Sequence, residues 1–254
     1  MLSQTKTIQN THVPSMGFGT WDLRGKECEK ALESALEVGY RHIDTAEMYA
    51  NEDAIGHVLK RTTIPRNELF ITTKVWPNHY AENQFFQAVE QSLKSLQVPQ
   101  VDLLLLHWPK DTKTNIQATE YLLECYHKGY AKHIGVSNFD LEQLKQAQKQ
   151  APVFCNQIKY HPFLSHNEFV KYMQAQDLLI TSYSPLKEGD IRSNKTLVET
   201  GNKYGKTASQ VALRWLVQQK NVAAIPKASS KEHQVENLDI FDFELNVEEI
   251  NGLS

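Results

Sequence analysis

The 254-residue sequence has little of what marks secreted scaffolds, metal centres, membrane spans or nucleic-acid binders. Its three cysteines, Cys28, Cys125 and Cys155, lie far apart with no C-x-x-C pair. That spacing argues against a disulfide framework or structural zinc and for a reducing compartment. No apolar run is long: Val101–Leu106, with one Asp inside it, falls far short of the roughly 20 residues that cross a bilayer. The opening MLSQTKTIQN lacks the apolar core of a signal peptide, so the expected location is the cytoplasm and no membrane partner is expected. There is no basic stripe, and the formal net charge is −3, which removes nucleic acid from the expected partners. No G-x-G-x-x-G opens a first helix, so the Rossmann reading lacks its main signature. No linker, low-complexity stretch or charge block divides the chain, and residues 1–254 are expected to form one domain.

What is present is an alternation of short β-rich runs with amphipathic helical stretches. Eight runs read as strands: GFGTW (17–21), RHIDTA (41–46), LFITTKV (69–75), VDLLLLHW (101–108), KHIGVSN (132–138), VFCNQIKY (153–160), LITSYS (179–184) and VAAIPK (222–227). Several are apolar at consecutive positions, as parallel strands covered by helices are. Ala31, Leu32, Ala35 and Leu36 recur at helical spacing before Gly39, and Phe85, Val89, Leu93 and Leu96 do so within 81–98. Thr207 with Gln210, and Ser229 with Glu232, read as capping boxes. Residues before Gly17 suggest a small hairpin turning at Asn10. Eight β-α repeats predict an α/β protein, a (β/α)₈ TIM barrel rather than an open doubly wound sheet.

Such barrels place their chemistry at the C-terminal ends of the strands. Polar groups cluster there: Asp44, Lys74, His107, Ser137, Asn138, Gln157, Tyr183 and Lys227 all stand late in or just after a run. Tyr49 follows Asp44 by five residues. Taken singly, each has a bland reading: Asp44 as a helix cap, Lys74 as a solvated charge, His107 as a core histidine, Tyr49 as a surface residue. Together, delivered by almost every strand to one face of the barrel, they read as a site rather than as a chance arrangement. A free phenol, with a pKa of about 10, is a sluggish acid, and a nearby ammonium lowers that pKa.

At these residues the chain resembles the aldo-keto reductase family. The motifs GFGTW, GYRHIDTAEMYANEDAIG (39–56), ITTKVW (71–76), VDLLLLHWP (101–109), IGVSNF (134–139), NQIKYHP (156–162), SYSPL (182–186) and IPKASS (225–230) carry the likeness, in family order and over nearly the whole chain. The short loops are similar to those of bacterial 2,5-diketo-D-gluconate or methylglyoxal reductases. The resemblance implies a catalytic set of Asp44, Tyr49, Lys74 and His107, with Tyr49 as acid, Lys74 tuning it, Asp44 holding Lys74, and His107 orienting the carbonyl. It implies NADPH as cofactor. Ser137, Asn138 and Gln157 would hydrogen-bond the nicotinamide carboxamide, with Tyr183 stacked on its ring, and Gly19, Thr20 and Asp44 would also contact the cofactor. Ser184 and Leu186 would follow the pyrophosphate, Lys227 and Ser229 the 2′-phosphate, and His233, Glu236 and Asn237 the adenosine end. Trp21, Trp76 and Trp108 would line an apolar substrate pocket, with core packing as the alternative for Trp108.

Two departures stand out. Ala228 replaces a common serine, and His233 replaces an arginine whose bidentate grip on phosphate a histidine cannot supply. NADH use alongside NADPH is therefore open. The chain also ends at Ser254 without the longer C-terminal loop of many members. A metal-dependent hydrolase using His42 and Asp44 with Lys74 and His107 is a rival, and so is a cofactor-binding member without catalysis. Small aldehydes, α-dicarbonyls and keto-sugar acids all remain candidate substrates, with Lys187 or Arg192 able to steer an anionic one. Cys155 reads as a small core residue. A monomer is the default expectation.

Overall fold

The structure, a computed structural model, describes residues 4–164, 167–186 and 191–253. A two-stranded antiparallel hairpin, β1 (Thr5–Ile8) and β2 (Thr11–Pro14), comes first. Its turn places Gln9 and Asn10 at φ 45° and 65°, the left-handed conformation that asparagine tolerates and two-residue hairpin turns require.

The eight β-rich runs become one parallel sheet in chain order: β3 (Gly17–Gly19), β4 (His42–Asp44), β5 (Phe70–Val75), β6 (Val101–Leu106), β7 (Ala131–Ser137), β8 (Val153–Lys159), β9 (Leu179–Tyr183) and β10 (Val222–Ala224). A parallel Met16–Ala224 bridge, Ala224 N–H donating to Ser15 O (2.9 Å), and Gly19 N–H donating to Pro226 O (3.1 Å) bring its two edges together as a barrel. That seam explains the glycine in GFGTW. A Cβ on Gly19 would come within 2.5 Å of the Ile225 carbonyl oxygen, so only glycine lets the first and last strands meet.

Several strands are shorter than the sequence suggests. The run VAAIPK stops at Ala224 because Pro226 has no N–H to give a ladder. RHIDTA stops at Asp44, and Ala46 leads into a 3₁₀ turn at Glu47–Tyr49. GFGTW stops at Gly19, so Trp21 lies on a loop.

The helices α1 (Gly25–Val38), α2 (Glu52–Arg61), α3 (Glu82–Leu96), α4 (Thr112–His127), α5 (Leu141–Gln150), α6 (Asn167–Ala175), α7 (Lys195–Tyr204), α8 (Ala208–Gln218), α9 (Lys231–Leu238) and α10 (Val247–Gly252) complete the chain. Gly39 ends α1 at φ 120°, and Thr207 with Gln210 forms the expected capping box on α8. The second expected box is corrected: α9 is capped by Ser230, whose Oγ accepts from His233 N–H at 3.3 Å, not by Ser229. The loop from β10 runs one residue further than the pattern implies, which leaves Ser229 exposed.

Most of the core lies between sheet and helices. A second cluster fills the barrel, where Ile8 and Val13 of the hairpin pack with Phe70, Leu103, Leu105, Cys155, Leu179 and Ala223. Cys155 is accordingly a core residue. Since Phe70 and Leu179 begin their strands, the hairpin seals the N-terminal end, and the strands' C-terminal ends form the open mouth.

Candidate active site

Inward-facing residues alternate along each strand, so Asp44 on β4, Lys74 on β5 and Gln157 on β8 point into the top of the barrel. Lys74 Nζ donates to Asp44 Oδ1 (2.5 Å) and to Thr45 O (2.8 Å). Asp44 Oδ2 accepts from Gln157 Nε2 (2.7 Å). Lys74 reaches Tyr49 from this anchorage, with Nζ 3.5 Å from the phenol oxygen and 5.0 Å from the ring centroid. His107 faces the same phenol, its ring centroid 5.6 Å from that of Tyr49, edge to face. The four residues implied by the family resemblance thus converge.

The charges are held in a dry place. The Lys74 side chain is 0% exposed. Burial alone would depress its pKa, but Asp44 and Tyr49 outweigh that cost and raise it, so it stays a cation. For Tyr49 the balance differs from the sequence expectation. Burial, the largest influence, and Asp44 together exceed the lowering effect of Lys74, and the pKa of the phenol is raised. Burial, helped by Lys74, pushes the His107 imidazole down to about 3, so it is neutral near pH 7. Its Nδ1 is buried without a hydrogen-bond partner among the described residues.

Beside this group lies a second polar knot. Asn138, at φ 63°, donates from Nδ2 to His107 O (3.1 Å) and Ser137 Oγ (3.0 Å), and accepts at Oδ1 from Tyr183 OH (2.7 Å). Ser137 Oγ donates to Gln157 O (3.1 Å). The ends of β6, β7, β8 and β9 are thereby tied, with the half-buried Tyr183 ring held upright at the mouth. Thr20 donates from Oγ1 to Asp44 O (2.9 Å). Ser184, at φ 47°, turns the chain after β9, while Leu186 packs on the core.

Lys227 stands exposed after β10, its ammonium 3.7 Å from Asp22 Oδ2, next to Ser229 and the start of α9. Of the residues expected at the adenosine end, His233 is exposed in the first turn of α9. Glu236 accepts the Thr207 hydroxyl (2.7 Å), and Asn237 is buried against Tyr40. Trp21 and Trp108 are 58% and 43% exposed at the mouth, so Trp108 is not a core residue, and Trp76 packs edge to face on His107 at 5.0 Å. Arg192 is exposed, and Lys187 lies outside the described residues. Among the described residues no cluster of His, Cys, Asp or Glu is arranged to hold a metal ion, and His42 instead meets Pro14 O through Nδ1 (3.2 Å).

Sequence reasoning missed the supports beneath these groups. Asn51 Nδ2 donates to Thr20 O and Leu23 O (both 2.9 Å), and Asn51 Oδ1 accepts the Thr45 hydroxyl (2.7 Å). This fixes the loop that carries Tyr49 against the loop after β3. Glu47 and Glu52 flank it, and Met48 is exposed beside it. Their proximity to Tyr49 within AEMYANE was the available signal, but which partners they meet is decided by tertiary contacts.

Residues 15–254 match the model of the aldo/keto reductase family. Glyoxal reductase of Bacillus subtilis (strain 168) is 38% identical over 259 residues, covering 99% of this chain and 92% of that protein. Methylglyoxal reductase DkgA of Escherichia coli (strain K12) is 34% identical, covering 95% and 89%. The crystal structure of an aldo/keto reductase from Brucella melitensis superposes with a TM-score of 0.93 at 32% identity, covering 100% and 98%.

Proposed function

Because the chain belongs to the aldo/keto reductase family and is an oxidoreductase acting on carbonyl groups, we propose that it is an NADPH-dependent reductase of α-dicarbonyls such as methylglyoxal, with Tyr49 as proton donor. The observation that carries the reading is the ammonium of Lys74 anchored on Asp44 at 2.5 Å and set 3.5 Å from the Tyr49 phenol. The names of the two relatives support the dicarbonyl class.

The donor set fits the cofactor. The exposed Lys227 ammonium, Ser229 and the N-terminal end of α9 suit a 2′-phosphate. Tyr183, its hydroxyl engaged by Asn138, presents a ring face suited to stacking, beside Ser137 and Gln157. The bound nicotinamide would supply the hydride. The chain's own residues do the rest. Tyr49 remains protonated at neutral pH because burial raises its pKa. When the proton leaves, the phenolate it leaves behind is met by the Lys74 cation, which is already desolvated and aimed. Neutral His107 donates a hydrogen bond to the carbonyl oxygen and leaves the positive charge to Lys74. Trp21, Trp76 and Trp108 form apolar walls that displace water from a small substrate.

Consumption of NADPH with methylglyoxal, followed at the reduced-nicotinamide absorbance band, tests the activity. Tyr49→Phe keeps the ring but removes the proton, and kcat is expected to fall at least about 100-fold with NADPH affinity nearly unchanged. Undiminished turnover in that variant rules out Tyr49 as the acid.

A further inference from the structure

Glu47 lies two residues before Tyr49 on the same 3₁₀ turn, and both of its oxygens are spent on another loop. Oε1 accepts the backbone N–H of Trp76. Oε2 pairs with His79 Nδ1 at 2.9 Å. The Glu47 side chain is 14% exposed, against 46% for His79, so the carboxylate is largely covered while its histidine partner faces solvent. Trp76 and His79 bracket the segment after β5, whose 3₁₀ turn is Pro77–His79. The Trp76 ring packs on His107 at 5.0 Å, and His107 in turn faces the Tyr49 ring at 5.6 Å. A closed circuit therefore runs from Glu47 through Trp76 and His107 to Tyr49, and back along two residues of backbone.

We propose that Glu47 is a positioning residue that sets the spacing between Tyr49 and His107 by clasping the Tyr49 turn to the Trp76 loop. Lys74 fixes the phenol from below, through Asp44 and Thr45. It does not determine how far His107 and its tryptophan wall stand from the phenol. In the described residues the Glu47 carboxylate is the side chain that links the two loops by hydrogen bonds at this point. Proton donation and carbonyl orientation must act on one oxygen atom, so the spacing of Tyr49 and His107 governs the chemical step. A displacement of about 1 Å is enough to slow such a step up to about 100-fold. Neither Glu47 nor its partners belong to the expected cofactor positions, so cofactor affinity should not depend on the clasp.

This inference rests on the reductase reading with Tyr49 as acid, and Tyr49→Phe is the control that separates the two. The experiment compares wild type, Glu47→Ala, Glu47→Gln and His79→Ala for kcat and KM with methylglyoxal. NADPH affinity is read from quenching of tryptophan fluorescence, and the thermal midpoint from circular dichroism. Glu47→Ala should lower kcat about 10- to 100-fold with NADPH affinity within about twofold of wild type. Glu47→Gln retains an oxygen to accept the Trp76 N–H and should recover most of the loss. His79→Ala, which leaves the Trp76 bond intact, should cost only a few-fold. Unchanged kcat in Glu47→Ala, with Tyr49→Phe inactive, overturns the inference. So does an equal loss in Glu47→Ala and Glu47→Gln that tracks the fall in thermal midpoint. Should Glu47→Ala fail to fold, a Glu47→Gln variant as slow as a Tyr49→Phe enzyme overturns it equally.

Discussion

Lys227 is a side chain whose role can be separated from packing, because its ammonium is exposed and its described ion-pair partner, Asp22, is a weak one at 3.7 Å. An exposed pair at that distance contributes little to stability. A charge-assisted bond to a phosphate is worth about 1.5–3 kcal/mol. Lys227→Ala is therefore expected to raise the Kd for NADPH about 10- to 100-fold and leave that for NADH within about twofold. Titration of both cofactors against intrinsic fluorescence checks it, and equal weakening of the two shows that Lys227 does not read the 2′-phosphate. Residues of this kind were legible as a set, because polar groups at the ends of several apolar strands fall on one face of the barrel. Asp44, Lys74 and His107 were found that way. Thr45, Glu47 and Asn51 were not, since the partners each one meets are brought near only by folding. The direction of the Tyr49 shift was missed for the same reason: the charge beside a phenol can be guessed from sequence, but its burial cannot.

At the scale of the element, helix α9 shows how a local pattern slips by one residue. Ser229 and Ser230 are chemically equal candidates, and Glu232 favours Ser229 as the partner in a reciprocal box. The loop from β10, constrained by Pro226 and by the closing bond from Gly19 N–H to Pro226 O, carries Ser229 past the capping position. Ser230 Oγ accepts the His233 N–H instead. Ser230→Ala should destabilise the cofactor-free protein by about 1 kcal/mol, a fall in thermal midpoint of about 2–4 °C. Ser229→Ala should leave the midpoint within experimental error, because Ser229 caps nothing. Calorimetry of both variants without cofactor distinguishes them. At Thr207 and Gln210, where both halves of the reciprocal box form, the sequence reading and the structure agree.

For the whole molecule, the alternation of strands and helices made the parallel barrel readable. Its closure followed from the count of eight repeats, but the contacts that make the seam did not, because they depend on Gly17 and Gly19 meeting the Ile225 segment more than 200 positions away. The same long-range packing leaves a stability switch that no local motif signals. Glu52, on α2, is 7% exposed, and its Oε1 accepts the Thr73 hydroxyl at 2.5 Å while Ser92 of α3 also bonds the carboxyl. Thr73 precedes Lys74, so this group ties α2, β5 and α3 directly behind the site. Burial, partly offset by the two hydroxyls, pushes its pKa from 4.5 up to about 7, with Glu47 raising it and Lys74 lowering it. Between those two values the folded state binds more protons at Glu52 than the unfolded state does. The contribution of Glu52 to folding stability then falls as pH rises from about 4.5 to about 7, and levels off above. The span corresponds to a loss of about 3 kcal/mol from this one group. Glu52→Gln keeps an acceptor for Thr73 but cannot ionise. The variant should lose this component of the pH dependence and become more stable than wild type above pH 7, with the advantage vanishing near pH 4.5. Urea denaturation at pH 5, 6, 7 and 8 measures it. Parallel stability curves for the two proteins show that Glu52 ionises in the folded state as it does in water.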